Sequence, residues 1–273
     1  MGTQTKACIK PLVIAVGLLL FLGASVAAAA TEKGWDRFVL TAGAFDPDID
    51  STLRLDSTLL DPGTPLDLET DLNLEDSDAV PYVTALWRIT ERFGLEASYF
   101  ELERSAASTL NFEIDFGDET FLASTDVLTK FDTSFVELSL RYSFVMTEKV
   151  DLAASLGAYY LNLDASIEEQ GGGAREADSG EAPLPVVGAS FQYKIVPSLT
   201  LSLGGKYFGV EVDDIDGSLV NYGAGIQWDP IRFIGIGLAY DYFELDADSE
   251  NEDFLGEFNM EYKGPRAYLT LRF

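Results

Sequence analysis

The sequence contains no histidine among its 273 residues, and its single cysteine, Cys8, lies near the amino terminus. Without histidine, no Ser–His or Cys–His pair can activate a nucleophile. No segment matches a phosphate-binding loop, a dinucleotide fingerprint or a zinc site. We therefore predict that the chain is not an enzyme and that it carries no cofactor.

Basic residues are also scarce. The 18 lysines and arginines are outnumbered by 46 aspartates and glutamates, which gives a formal net charge of −28. A chain this acidic repels nucleic acid and attracts cations and basic partners. Because nucleic-acid-binding domains carry a basic patch or stripe, this composition excludes nucleic acid as a partner.

The amino-terminal segment has the composition of an export leader. A basic start with Lys6 and Lys10 precedes an apolar run over residues 12–22, and small residues with an A-x-A pattern follow. We predict a cleavable secretory signal peptide over residues 1–30 and one domain over residues 31–273. An uncleaved helical anchor is the alternative, since a membrane span needs roughly 20 apolar residues. The second half of the segment is Gly, Ala and Ser, however, and no basic cluster follows it.

The rest of the chain shows a period of two that favours β-strands. In the segment 231–244, large apolar side chains alternate with small ones, and two faces of opposite character are typical of a strand. The large face carries Ile234, Ile236, Leu238, Tyr240 and Tyr242, and the small face carries Gly235, Gly237, Ala239 and Asp241. A bulky apolar outside with a polar or small inside is what lipid around a closed barrel requires.

Short and long connections alternate along the chain, as in outer-membrane barrels with short periplasmic turns and longer extracellular loops. We predict an all-β, closed, antiparallel, up-and-down transmembrane barrel of ten strands. The strands are predicted at 35–46, 79–90, 92–105, 131–146, 149–164, 183–196, 198–212, 218–229, 231–246 and 257–273. Extended stretches near 51–58 and 65–74 form either an extracellular hairpin or two further strands, so eight and twelve strands stay open.

The last strand carries the most specific signal. Ala267, Leu269, Leu271 and Phe273 share one face, Phe273 is the final residue, and Gly264 lies three residues before Ala267. This segment resembles the assembly signal of outer-membrane barrels, and the chain resembles the small OmpA/OmpW-type barrel proteins with a long acidic first loop. The resemblance implies a bacterial outer-membrane location with both termini periplasmic. It also implies contact with the barrel assembly machinery.

Several charged residues fall on the inward face of the predicted strands. They are Arg37, Arg88, Arg92, Glu96, Glu137, Arg141, Lys194, Lys206, Asp241, Arg266 and Arg272. Glu137 and Arg141 are four residues apart on one strand, about 13 Å at ~3.3 Å per residue, so each must pair across to other strands. We predict a salt-bridged plug, because barrels of about eight strands are filled by their side chains. The alternative is a narrow conduit lined by mixed charge.

Clusters of carboxylates lie in the predicted loops. Candidate ligands for weak binding of Ca²⁺ or Mg²⁺ are Asp46, Asp48 and Asp50 in the first loop and Asp213, Asp214 and Asp216 in a later one. The twelve-residue calcium-loop template fits neither place. The simpler interpretation is a solvated, repulsive exterior surface. Weak binding of divalent cations that bridge lipopolysaccharide phosphates is the alternative.

Two functions from different classes follow from these patterns. The first is a structural or surface-interaction barrel that presents acidic extracellular loops, with outer-membrane lipid and lipopolysaccharide as partners. The second is a narrow, porin-like passive channel that prefers cations because its mouth is negative. The predicted strand number and the filled lumen favour the first.

Overall fold

The computed structural model describes residues 34–56, 63–77, 79–212, 215–251 and 254–273. The predicted signal peptide lies outside the described residues, and so do Asp213 and Asp214. The strands are β1 (Phe38–Phe45), β2 (Asp48–Leu55), β3 (Leu66–Asp67), β4 (Val80–Arg88), β5 (Phe93–Thr109), β6 (Ile114–Phe116), β7 (Glu119–Phe121), β8 (Asp126–Met146), β9 (Val150–Glu169), β10 (Arg175–Val196), β11 (Leu199–Val212), β12 (Ile215–Ile231), β13 (Ile234–Asn251) and β14 (Phe254–Arg272).

Ten of these strands close an antiparallel barrel in the order β1, β4, β5 and then β8 through β14. The seam is formed by β1, which pairs with β4 on one side and with β14 on the other, so that Leu40 lies opposite both Ala85 and Leu271. The prediction of a closed ten-stranded barrel is confirmed. We call the end with the short turns and the barrel's first and last residues the terminal end, and the opposite end the loop end.

The first long connection extends the barrel wall. β2 continues the register of β1 along β14, because Phe45 pairs with Arg266 and Asp48 pairs with Lys263. The short β3 then pairs with β2. The two extended stretches therefore form an antiparallel hairpin, one of the two predicted alternatives, and β2 prolongs the first barrel strand along β14 without adding a strand to the barrel.

The strands are about twice as long as a membrane requires. A spanning strand needs about 9–11 residues, whereas β8, β9 and β10 contain 21, 20 and 22 residues. The extra length lies at the loop end, where β8 begins at Asp126 and β9 runs to Glu169. The alternation in the sequence predicts strands only over 131–146 and 149–164, so these extensions lie in regions that were expected to be long loops.

The polarity of the wall reverses partway along each long strand. Over residues 137–144 of β8, polar side chains such as Arg141 face inward and are buried, while Leu138 and Leu140 are exposed outward. Over residues 126–135 the buried inward residues are Val127, Phe131 and Phe135 together with two threonines, Thr129 and Thr133, and none of them is charged. The apolar outer face of residues 137–144 suits contact with lipid, and the polar outer face of residues 126–135 suits contact with water. We call these parts the spanning half and the loop-end half.

Two connections fill the loop-end half with an apolar core. Residues 63–77 enter the space above β4, between β2 and β5, and bury Leu66, Leu68, Leu72 and Leu74. The hairpin of β6 and β7 buries Ile114, Phe116 and Phe121. Backbone contacts join the two connections, since Thr64 N donates to Asp115 O at 2.9 Å. Among the described residues, no helix has the length and apolar character needed to cross a membrane.

Candidate functional site

The lumen is crossed at the terminal end by the residues that precede β1. Trp35 is buried and donates its indole Nε1–H to Thr147 O at 2.7 Å, in the turn between β8 and β9. Lys194 Nζ of β10 lies 4.0 Å from the centre of the Trp35 ring and donates to Gly34 O at 2.7 Å. The tryptophan therefore reaches from the β1 side of the barrel to the opposite wall. The alternation of the strands gave no reason to expect this, because Trp35 precedes the first strand.

Above this tryptophan lies a layer of buried ion pairs. Arg88 contacts Asp151 at 2.7 Å, and Arg141 contacts the same carboxylate at 3.1 Å. Arg141 also reaches Glu96 at 3.4 Å. Lys206 continues the network to the other side of the lumen, where it pairs with Glu137 and lies 3.9 Å from Glu96.

A second network follows the inner faces of β12, β13 and β14. Arg272 contacts Asp229 at 2.8 Å and Asp36 at 3.6 Å. Nearer the middle of the barrel, Arg266 Nε lies 3.0 Å from Asp241 Oδ2. Cations and carboxylates alternate in both networks, and most of these side chains are buried or half-buried. Opposite charges placed this close in a low-dielectric lumen hold each other and fix the strands to one another.

The predicted charges with contacts inside the barrel are Arg88, Glu96, Glu137, Arg141, Lys194, Lys206, Asp241, Arg266 and Arg272. Arg37 is half-buried just before β1, and Arg92 is exposed in the turn between β4 and β5. Glu137 and Arg141 do not pair with each other, as their spacing on β8 predicts. Asp151, which joins two arginines, was missing from the predicted set although its parity pointed inward.

A layer of aromatic rings crosses the lumen at the boundary between the two halves. It consists of Phe45, Phe100, Phe135, Tyr159, Phe243 and Tyr262, which come from six different strands. Phe243 and Tyr262 stack with ring centres 4.5 Å apart, and Phe100 and Phe135 stack at 4.7 Å. Phe135 and Phe243 meet edge to face at 5.1 Å, which connects the two stacks. Such contacts fill the cross-section with close-packed rings.

Between the ion pairs and the aromatic layer lies a cavity of about 320 Å³. Its floor includes Glu137 and Lys206, and its roof includes Phe243 and Tyr262. Small residues such as Gly204 line the side wall. The lumen thus has four successive levels: the terminal tryptophan, the ion pairs, the cavity and the aromatic layer.

The predicted metal ligands do not converge in the described part of the chain. Four of these aspartates are exposed at separate places: Asp46 just before β2, Asp48 and Asp50 on β2, and Asp216 on β12. Among the described residues, no group of three or more acidic side chains is placed to hold a metal ion.

The predicted assembly signal lies on the outer surface at the seam. Leu269, Leu271 and Phe273 are exposed outward on one face of the last strand. The Phe273 carbonyl accepts hydrogen bonds from Arg37 N at 2.9 Å and Phe38 N at 3.0 Å, and Phe273 N donates to Phe38 O at 2.9 Å. The final residue therefore completes the pairing between the first and last strands.

Beyond the spanning half, carboxylates of neighbouring strands lie side by side on the loop-end half. Asp132 of β8 lies directly between Glu103 of β5 and Asp164 of β9 in the strand pairing. Partial burial, together with these two neighbouring charges, raises the pKa of Asp132 above its usual value. The pKa of Glu176 is raised as well, by burial and by Asp118 and other nearby acids. The outer surface at this end is consequently dense in negative charge.

Comparisons with known proteins agree with this architecture. A family model for the OmpA-like transmembrane domain matches residues 66–246. No curated protein matches the sequence. The outer-membrane protease OmpT of Escherichia coli is similar in structure, with a TM-score of 0.59 at 8% identity, over 90% of this chain and 99% of that one. OprG of Pseudomonas aeruginosa has a TM-score of 0.37 at 12% identity, over 86% of this chain and 95% of that one. At 8% identity, the similarity to OmpT concerns the fold alone.

Proposed function

The chain belongs to the OmpA-like transmembrane domain family, and from this premise we propose that it is a structural and surface-interaction protein of the bacterial outer membrane. Its spanning half anchors it in the lipid, and its loop-end half presents an acidic, water-facing surface. The lumen is a plug that braces the wall, not a path for solutes.

The observation that supports this proposal is the filling of the lumen at several successive levels in the described residues. Trp35 covers the terminal end, the pairs around Asp151 and Arg141 fill the middle, and the aromatic layer fills the boundary. Each level joins strands from different sides of the barrel. A path for ions would have to displace stacked rings and buried ion pairs, both of which stabilise the closed arrangement.

The same proposal places the terminal end in the periplasm and the loop end outside the cell. Short turns at one end and long connections at the other support this orientation. The outward apolar side chains then contact lipid, and the acidic loop-end surface faces lipopolysaccharide. Divalent cations that bridge those carboxylates to lipopolysaccharide phosphates stay a proposal from charge alone. The exposed face of Leu269, Leu271 and Phe273 is proposed to engage the barrel assembly machinery.

No enzymatic activity is proposed. OmpT is a protease, but its likeness to this chain is a likeness of fold at 8% identity. The chain has no histidine to serve as a general base. Fold is no guide to activity without a matching site.

Planar-bilayer conductance tests the proposal against a narrow cation channel, the alternative that a charged lumen favours. The mature protein is refolded and inserted, and insertion is verified by protection of the spanning half from protease. We expect no stepwise openings over many insertions. A triple variant with Phe135, Phe243 and Tyr262 changed to Ala removes most of the aromatic layer and shows whether the ion-pair levels alone stay closed. Stepwise, cation-selective openings of the unmodified protein would overturn the plug and favour the channel.

A further inference from the structure

One tyrosine that lines the lumen cavity has a buried hydroxyl without a hydrogen-bond partner in the described part of the chain. Tyr82 of β4 lines the cavity and is 7% exposed, and its hydroxyl has no hydrogen-bond partner among the described residues. Buried side-chain hydroxyls in folded proteins are normally hydrogen-bonded to protein or to an ordered molecule. The volume of about 320 Å³ could hold roughly ten water molecules, at about 30 Å³ each.

The surroundings hold the Tyr82 ring in place. The Arg266 guanidinium lies 4.6 Å from the centre of the Tyr82 ring and 5.6 Å from that of Tyr268. Gly43, which pairs with both Tyr82 and Tyr268, leaves space for them, since a Cβ there would lie 2.8 Å from the Tyr268 Cβ. The Tyr82 ring is therefore held in place beside the cavity.

Each charge that lines the cavity has an opposite charge beside it. Lys206 pairs with Glu137 and lies near Glu96, while Arg266 lies beside Asp241. A charged occupant would have no free counter-ion among them and would lose its hydration on entering. A neutral occupant avoids this cost.

The roof favours an apolar, planar occupant. Phe243 and Tyr262 stack with an interplanar angle of 1°, and their neighbours present further ring edges and faces to the cavity. Flat apolar molecules pack well against such rings. Sites for small molecules are commonly of this kind, mostly apolar with a few placed polar groups.

We propose that this cavity is a binding site for a small, neutral, lipid-soluble molecule with a planar apolar body and one hydrogen-bonding group, of which an alkylphenol is the simplest example. The polar group pairs with the Tyr82 hydroxyl, and the apolar body lies under the aromatic roof. The site goes beyond the surface role proposed above and does not depend on it.

The wall beside the cavity is consistent with an occupant dissolved in the membrane. An apolar groove on the outer surface, rimmed by Phe191, Tyr222 and Tyr240, shares Gly204 and Gly223 with the lumen cavity. These two glycines pair with each other on β11 and β12. Only backbone separates the cavity from the groove at this point.

Calorimetric titration of the mature protein in lipid nanodiscs tests the site, with empty nanodiscs subtracted. The two probes are 4-propylphenol and propylbenzene, which differ by one hydroxyl. We expect 4-propylphenol to bind, and Tyr82→Phe to weaken it roughly two- to tenfold, the value of one hydrogen bond, while propylbenzene binding is unchanged. Tyr160→Phe is the matched control, since Tyr160 does not line the cavity and its hydroxyl bonds Glu181 on the outer surface. It should leave both probes unaffected.

A cavity-filling variant supplies the second arm. A Cβ on Gly204 would have its nearest neighbours at 3.7 and 3.8 Å, so Gly204→Leu can be accommodated and projects into the free space. It should abolish binding of both probes while the protein still migrates as a folded barrel. Absence of 4-propylphenol binding to the unmodified protein would overturn the proposal. So would binding that survives Gly204→Leu, or equal effects of Tyr82→Phe on the two probes. None of these outcomes bears on conductance, which tests the plug separately.

Discussion

Arg104 holds the first connection against the barrel wall. Its side chain is 1% exposed, pairs with Glu69, and donates to Ser51 Oγ at 2.8 Å. Glu69 also accepts from Ser51 N at 2.9 Å. These contacts bridge the space between β2 and β5 that β4 is too short to fill. Arg104→Met should therefore release residues 63–77 from the wall.

The magnitude follows from the burial of the pair. Removing one member of a buried ion pair costs about 3–5 kcal/mol, because the other charge is left without compensation. At about 1.4 kcal/mol per factor of ten, local opening should become more frequent by roughly two to four orders of magnitude. The double variant Arg104→Met with Glu69→Leu removes the orphaned charge. The double variant should lose only the stability that corresponds to the unpaired Ser51 groups, about 1–3 kcal/mol.

Native-state hydrogen exchange measures this locally. The informative amides are those of Ser51, which donates to Glu69, and of Leu68, which donates to Ser51 O at 3.0 Å. Amides of the spanning half should be unaffected. Arg54→Met is a matched control, because the Arg54 pair with Asp56 lies nearer the surface and should be worth less than about 1 kcal/mol. Unchanged exchange in Arg104→Met, or a double variant no better than the single one, would refute the reasoning.

Three further perturbations probe other parts of the barrel. Asp151→Asn should lower the urea midpoint of the folded form, by about 3–5 kcal/mol in stability, because two buried arginines lose their shared carboxylate; an unchanged midpoint would remove the bracing role of the ion pairs. Burial, with Glu103 and Asp164, raises the folded-state pKa of Asp132, so loop-end exchange protection should fall as pH rises through that pKa. Asp132→Asn should flatten this dependence, and an equally steep profile in the variant would contradict the assignment. Deleting Phe273 should reduce surface levels, and normal levels would exclude it from assembly.

The alternation of side chains predicts the barrel well because lipid imposes one rule on every strand. Each segment that crosses the membrane must put apolar side chains outward, so strands such as β13 are recognisable in the sequence alone. Their loop-end extensions obey the opposite rule. Over residues 126–135, Val127, Phe131 and Phe135 face inward, and polar side chains lie between them on the outer face. The pattern of outward apolar side chains therefore predicts strands that are too short.

The lumen is harder to predict because its contacts join residues far apart in sequence. Parity places Arg88 and Arg141 inside, but their common partner Asp151 lies 63 residues from Arg88, on a strand that does not neighbour β4. Trp35 lies before any strand pattern begins. The aromatic layer forms where the apolar residues move from the outward to the inward positions of the strands. That change is the signal in the sequence that would have located the layer.

Thiol labelling of intact cells tests most directly whether the barrel is closed and whether its loop-end half stands outside the cell. The predicted mature chain has no cysteine, so single cysteines can be introduced at chosen heights and treated with a membrane-impermeant thiol reagent on intact cells. Ser105→Cys, exposed at the loop end, should react rapidly. Ser98→Cys, in the lumen cavity, should stay unreactive, and Lys149→Cys, in a terminal turn, should react only after the outer membrane is opened. Rapid reaction of Ser98→Cys would contradict the closed lumen, and reaction of Lys149→Cys on intact cells in place of Ser105→Cys would reverse the orientation.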